Sequence, residues 1–299
     1  MLTKLSTEWV EEYIPWLKTA AVSYLNIDVA VSGPYPDFAA TPDLHAITTS
    51  LTKKIVWPLH GTTNRTLYEV WSEDVDGEIG VLGSGSDYTP FLHSGIASID
   101  IGAGGGPNDP VYHYHSNYDS YHWMATFGDP GFHTHKAIGQ YLTLLLYHLV
   151  SDPSLPLEPA AYTAELKTYL SELNTTIAST NGTLDLTNLT EAISVFENSA
   201  QQFNELRAQA ISTNDTELLT VVNHKARDFS RGFTSQGGLP GREFFQHLIF
   251  APGLDTGYAP VTYPGITESI TFRNNFTQAQ EFVGKTADAI LVAAAILKT

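Results

Sequence analysis

Hydrophobic positions change period about halfway along the chain. In the first half, apolar residues at helical spacing alternate with short β-branched runs. "TEWVEEYIPWLKTAA" (7–21) places apolar side chains three and four apart, which predicts a helix with Thr7 as its N-cap. "VSYLNIDVAVSG" (22–33) is alternating and β-branched and stops at Gly33-Pro34, the signature of a strand. "DLHAITTSLTKKI" (43–55) returns to helical spacing. "IGVLGSGSDYTPFLHSGIASIDIGAG" (79–104) holds two short apolar runs around a Gly/Ser turn. "HKAIGQYLTLLLYHLV" (135–150) predicts a strongly apolar, largely buried helix. Helix and strand in alternation predict an α/β layer built on a mostly parallel sheet.

The Pro-rich stretch "SDPSLPLEP" (151–159) ends that pattern and marks a domain boundary, giving units of 1–153 and 154–299. Beyond it, strand signals nearly vanish. "YTAELKTYLSEL" aligns Tyr162, Leu166, Tyr169, Leu170 and Leu173 on one helical face. "TEAISVFENSAQQFNELRAQAI" does the same with Ile193, Phe196, Ala200, Phe203 and Leu206. "AQEFVGKTADAILVAAAILKT" (279–299) predicts a closing helix with an Ala-rich face suited to close packing. The second unit reads as all-helical.

Composition narrows the function. The 299 residues carry a formal net charge of −17, which argues against nucleic acid and against an anionic membrane surface. The chain has no cysteine, so disulfides, thiolate metal sites and Cys nucleophiles are excluded, and a metal site must use His, Asp and Glu. Six Asn-X-Ser/Thr sequons, at Asn64, Asn174, Asn181, Asn188, Asn214 and Asn275, point to a glycoprotein of the secretory pathway, extracellular or vacuolar. "MLTKLSTEWVEEY" lacks the apolar core of a signal peptide, and "AILVAAAIL" (289–297) is too short to span a bilayer. A secretory address or membrane anchor is therefore expected on an N-terminal segment outside this sequence.

Several motifs fail on context. "IGAGGG" (101–106) is followed by "PNDP", which does not open the helix a dinucleotide loop needs. "GSGSD" (83–87) has its glycines at the wrong offsets for a nucleophile elbow. "EDVDGE" (73–78) lacks most of a calcium loop. "FHTHK" (132–136) is explained as polar residues opening a helix.

Two places carry more. In "PVYHYHSNYDSYHWM" (110–124), His113 and His115 stand at i, i+2 and would share one face of a strand. Spacing leaves them equal as metal ligands, and a hydrogen-bonded surface histidine is the competing reading. Asp28 ends the run "YLNID", and the carboxyl ends of strands carry the ligand site in open α/β sheets. A turn-forming aspartate is the competing reading there.

"STEWVEEY", "VSYLNIDVAVSG", "LGSGSDYTPFLHSGIAS", "YHSNYDSYHWM", "FGDPGFHTHKAIGQ", "GLPGREFFQHLIFAP" and "YPGI" follow one another in the order of a known family. The chain resembles the glutamate carboxypeptidase II family, the dizinc exopeptidases grouped with prostate-specific membrane antigen and the transferrin receptors. The resemblance implies that residues 1 to about 153 are the second half of a zinc-peptidase domain. It implies a helical dimerisation domain after them, and hence a homodimer. Asp28 matches a terminal carboxylate ligand of one zinc and His115 a ligand of the other. Tyr114 matches the tyrosine that hydrogen-bonds the tetrahedral intermediate, a suitable task for a phenol. Ser84, Gly85 and Ser86 match the loop lining the substrate cleft, and Tyr258 a tyrosine that contacts the substrate. Glu8 and Glu11 match two ligands of a structural calcium.

The departures are as informative. The family's first zinc histidine, bridging aspartate and Glu-Glu pair lie before "STEW" and have no counterpart here. The resemblance therefore implies the C-terminal part of a two-zinc peptidase, whose peptide substrate is attacked by a water bridging the metals. That part is expected to be inactive without the N-terminal half of the same protein. Ser86 replaces an asparagine, Gly257 a lysine, and Asp100 and Gly102 a pair of arginines. Without those cations a neutral or broader preference is expected in place of glutamate selectivity. The alternative is a receptor-like, non-catalytic homologue acting through its dimer surface.

Overall fold

The structure is a computed structural model that describes residues 2–58 and 64–298. Its elements, in chain order, begin with helix α1 (Leu2–Ala20), strands β1 (Ser23–Asn26) and β2 (Tyr35–Ala40), and helix α2 (His45–Thr52). A two-residue ladder of β3 (Val56–Trp57) and β4 (Arg65–Thr66) precedes α3 (Leu67–Val75), α4 (Tyr88–Leu92) and β5 (Ala97–Gly104). The single turn α5 (Tyr121–Trp123) leads to the long α6 (His133–Ser151). Then come α7 (Ala161–Ala178), α8 (Thr187–Thr213), α9 (Thr216–Asp228), β6 (Phe250–Pro252), β7 (Pro260–Thr262), α10 (Pro264–Thr271) and α11 (Phe276–Leu297).

The main sheet has the order β1-β5-β2. β1 runs parallel to β5, whereas β2 is antiparallel to it. The described sheet is thus mixed and small, not mostly parallel. The sequence reading missed β2 because "YPDFAA" contains a proline and a charge. Pro36 is tolerated because β2 lies at the sheet edge, where a missing N–H is affordable. The predicted strand 22–33 shortens to four residues, because Val29 takes a left-handed φ of 55° and turns the chain. Thr7 is not an N-cap, since α1 already begins at Leu2.

The core is continuous from Val31 to Leu297. On the sheet side, Phe38 meets Trp71 and Tyr141, each at a ring separation of 5.1 Å. On the helical side, Tyr162, Phe196, Phe229 and Phe233 form an aromatic cluster. The Ala-rich face of α11 allows the close packing its sequence implied: a Cβ at Gly232 would lie 2.3 Å from the backbone nitrogen of Ala293. The helix α6 departs from expectation. Its buried stripe runs through Ile138, Tyr141 and Leu145, but Leu146, Tyr147 and Val150 stand exposed. A largely apolar sequence does not make a helix buried all round when packing elements cover one face only. α1 similarly buries Val10 and Leu17 against Phe91 and Ile96 while Trp9 and Trp16 face outward. No helix among the described residues is long and apolar enough to cross a membrane.

A candidate cleft at the end of the parallel pair

β1 and β5 are in register with Asn26 opposite Asp100. This cross-strand pair sets the floor of the site. Asn26 is buried, and its amide nitrogen donates to Asp100 Oδ1 at 2.8 Å and to Ser86 Oγ at 2.9 Å. One side chain thereby joins both strands to the "GSGSD" loop. Two residues later Asp28 sits exposed in the turn beyond β1, just past the carboxyl end of the strand. The chain then returns to β5, with Ser32 N donating to Ala103 O at 2.7 Å.

The "GSGSD" loop is tied to the β6–β7 loop. Ser84 Oγ donates to Gly257 O at 2.7 Å, and Ser84 N to Tyr258 O at 3.0 Å. Ser84 therefore fastens the loop, whereas Gly85 and Ser86 face the cleft. Gly85 has φ +107°, and a Cβ there would lie 2.5 Å from Cδ1 of the Tyr258 ring. Glycine is required twice over, for conformation and for space.

The third wall is the His/Tyr-rich stretch, and it is a string of turns, not a strand. That separates the two histidines that spacing left equal. His113 packs edge-on against Trp123, whereas His115 adopts φ 54° and stacks on Tyr114 at 3.8 Å. Tyr112 donates to Asp119 Oδ2 at 2.8 Å. His122 lies edge-on to Phe127. In "FHTHK", Asp129 accepts from the backbone N–H groups of Thr134 and His135 at the start of α6, as a helix-opening segment should.

Asp28, Gly85, Ser86, Tyr114, His115 and Tyr258 line one cleft of about 610 Å³. Sequence reasoning did not single out Asn26, Tyr24, Asp87, Tyr112 or Asp119, which line it too. Asn26 had a usable signal, a polar residue inside an otherwise apolar strand. The cleft holds the phenols of Tyr24, Tyr112 and Tyr114 above their usual pKa. Tyr112 is pushed up to about 12 by burial and by its bond to Asp119. Tyr114 is raised by desolvation, then by the neighbouring Tyr258 phenol and by Asp28. Tyr114 thus stays protonated at neutral pH and can donate a hydrogen bond. Asp100 is raised by burial, against the opposing bond from Asn26, with Asp28 and Asp37 adding to the rise.

The donors fit zinc as far as they go, a carboxylate and an imidazole on one cleft. Among the described residues, however, no group of three or more His, Asp or Glu is gathered to hold a metal. Glu8 and Glu11 lie away from the cleft, exposed on α1. All six sequon asparagines are exposed, although Asn275 caps α11 through Gln278 N and Asn214 ends α8 in the left-handed conformation.

Comparison with known proteins is consistent along the chain. Residues 184–298 match the Transferrin receptor-like dimerisation domain family. A protein of Arthroderma benhamiae named "Probable glutamate carboxypeptidase" is 55% identical over 98% of this chain and 41% of its own length. "Probable glutamate carboxypeptidase LAMP1" of Arabidopsis thaliana is 31% identical over 98% of this chain and 43% of its own. A Schizosaccharomyces pombe protein named an inactive zinc metalloprotease is 26% identical, over 95% of this chain and 36% of its own. The chain spans about two fifths of the length of these relatives.

Proposed function

The chain belongs to the glutamate carboxypeptidase and transferrin receptor-like family, and we propose that it contributes one wall of a two-zinc exopeptidase site. In this reading residues 1–153 are part of the zinc-peptidase domain, and Asp28 and His115 each hold one zinc. The remaining ligands and the general base come from the portion of the protein that relatives carry beyond the matched stretch. Bound zinc would supply a Lewis acid beside the substrate carbonyl. Tyr114 donates its phenol hydrogen to the oxygen on which charge develops. Tyr258, seated over Gly85, and the Ser86 loop position the substrate chain. Residues 154–299 hold two copies together through the helical region, as the matched dimerisation domain suggests. In the same reading the six sequons support a secretory-pathway address, extracellular or vacuolar, and Glu8 with Glu11 contributes to a structural calcium site.

The observation carrying this reading is the convergence of Asp28, Tyr114, His115, Gly85, Ser86 and Tyr258, from separate stretches of chain, on a single cleft. The test is hydrolysis of C-terminal dipeptides by the full natural polypeptide that carries this sequence. Chelation should abolish cleavage and added zinc restore it; cleavage unchanged by chelator, or none with zinc present, rejects the reading. A receptor-like role without catalysis is the second reading. It is favoured by the relative named inactive.

A further inference from the structure

Two glycines of "IGAGGG" (101–106), a motif without a role so far, floor a second cavity of about 200 Å³. Asp28 and Val29 line both this cavity and the cleft described above. Gly102 and Gly104 stand on the face of β5 opposite its buried residues Ile99, Ile101 and Ala103. A Cβ at Gly104 would meet nothing within 4 Å among the described residues, so the strand backbone there lies open to the backbone of a ligand.

Ser32 in turn lines this cavity and a third, of about 410 Å³. Pro34, Pro110, Pro130 and the ring of Phe127 are among its walls. The carboxylates beside it are engaged. Asp109 accepts from Gly106 N at 2.8 Å, and Asp129 from Thr134 N and His135 N at 3.1 and 2.9 Å. The surface left free is mostly apolar, and proline rings hold the backbone of its walls fixed. Phe127 itself is half exposed. A rigid apolar cavity of this size suits an apolar side chain, which gains by leaving water and meets little ordering cost in the wall.

The shared walls fall in the order Tyr258 and Gly85, Asp28, Ser32, Phe127. The register of β5 gives the scale. Asp100 lies opposite Asn26 at the floor of the cleft, and Gly104 lies opposite Tyr35, next to Pro34. From Asp100 to Gly104 the strand covers about 13 Å, the reach of about four residues of extended peptide. We propose that the third cavity is a remote subsite for an apolar side chain, aromatic above all, at the fourth or fifth residue back from the scissile bond, with the peptide crossing the second cavity over Gly104. This rests on the exopeptidase reading and names a substrate class within it, oligopeptides with an apolar residue at that distance. Continuity with the cleft names the occupant: the terminal residue lies at the Tyr258 end, and the rest of the peptide leaves past Asp28.

A phenylalanine scan tests it on the full natural polypeptide. The probes are acetyl-Ala-Leu, acetyl-Ala-Ala-Ala-Ala-Ala-Leu, and the longer peptide with phenylalanine at each alanine in turn. Phenylalanine at the fourth or fifth residue back should raise kcat/KM over the all-alanine peptide at least about tenfold, as burial of its ring predicts. Phe127→Ala should cut that gain at least about threefold. Gly104→Leu should cut it at least about fivefold, because its side chain enters the passage where it meets nothing of the described fold. Each gain is a ratio within one variant, so a general loss of activity does not mimic the effect, and thermal unfolding shows that each variant is folded. No gain at those two positions, a larger gain nearer the scissile bond, or a gain unmoved in both variants would overturn the inference. Calorimetric titration of the same peptides separates it from the peptidase reading. Tighter binding of the phenylalanine peptide without zinc-dependent hydrolysis rejects the peptidase reading alone. Hydrolysis of acetyl-Ala-Leu and of the all-alanine peptide with no phenylalanine gain rejects this inference alone, and neither binding nor hydrolysis rejects both.

Discussion

The Tyr258 ring lies directly against Gly85, at a distance that leaves no space for a methyl group. The cleft mouth is shaped by this contact, because Gly85 belongs to the loop before α4 and Tyr258 to the β6–β7 loop. Gly85→Ala adds a Cβ at 2.5 Å from the ring and places alanine at φ +107°. Gly257, at φ +75°, has open space around its Cβ position. Gly257→Ala should therefore lose only the conformational term, on the order of 1 kcal/mol. Gly85→Ala should lose more, about 2–3 kcal/mol, and displace Tyr258. Denaturant unfolding of the two variants checks the ranking; equal losses would show that the ring moves aside freely.

Asn26 is expected to matter more than its size suggests. Asn26→Ala removes the donor that serves Asp100 and Ser86 together, leaving a half-buried carboxylate without its amide partner. The loss should be about 1–3 kcal/mol at neutral pH. Removing that bond also raises the Asp100 carboxyl further, so the loss should shrink in acid, where the carboxyl is neutral. Urea titrations at neutral and acidic pH measure it, and a pH-independent loss would contradict the assignment.

The sequence carried most of the fold's plan because its periods were clear. The helical faces through Tyr162–Leu173 and Ile193–Phe203 are buried as their spacing requires. Residues whose structure depends on neighbours were less legible. β2 was hidden by Pro36, and the outward face of α6 could not be told from its core face because both are apolar. At the site, Asp28 stood out in the sequence by ending the run "YLNID", although the strand itself stops at Asn26. His115 could be separated from His113 only by resemblance or by coordinates, since a left-handed residue in a turn breaks the strand rule that made them equal. Asp87 and Asp119 gave no signal, because their place in the cleft is set by long-range packing.

A buried acid away from the cleft sets a pH dependence. Asp43 is fully buried beside the linker, where Glu158 N donates to its backbone carbonyl at 2.8 Å. Burial pushes its carboxyl up to about 6 from the usual 3.8, against weaker pulls from Thr41 and backbone N–H groups. Between those values the folded state binds more protons than the unfolded one. Stability from this group is therefore full below about pH 4 and falls as pH rises through 6, by on the order of 3 kcal/mol. Asp43→Asn should flatten that segment of the stability profile. A wild-type profile that rises across pH 4–6 in parallel with the variant's would contradict it.

Glu268 supports the loop that carries Tyr258 from behind. It is buried, accepts two bonds from Arg242 at 2.6 and 2.8 Å, and takes a third from Leu254 N at 2.9 Å. Arg242 also donates to Pro252 O at 2.7 Å. Glu268→Ala leaves the partly buried Arg242 without its carboxylate, which should cost about 3 kcal/mol. Thermal unfolding checks it, and a loss below about 1 kcal/mol would mean that water replaces the carboxylate.

Zinc held by Asp28 and His115 is what joins the two ends of the cleft into one proposed site. The most direct test is metal analysis of the full natural polypeptide beside its Asp28→Ala and His115→Ala variants, each purified folded. The unaltered protein should carry about two zinc ions per chain, as in two-metal hydrolases, and each variant should show a clear loss of bound zinc. An unaltered protein without zinc, or variants that retain its full complement, would contradict it.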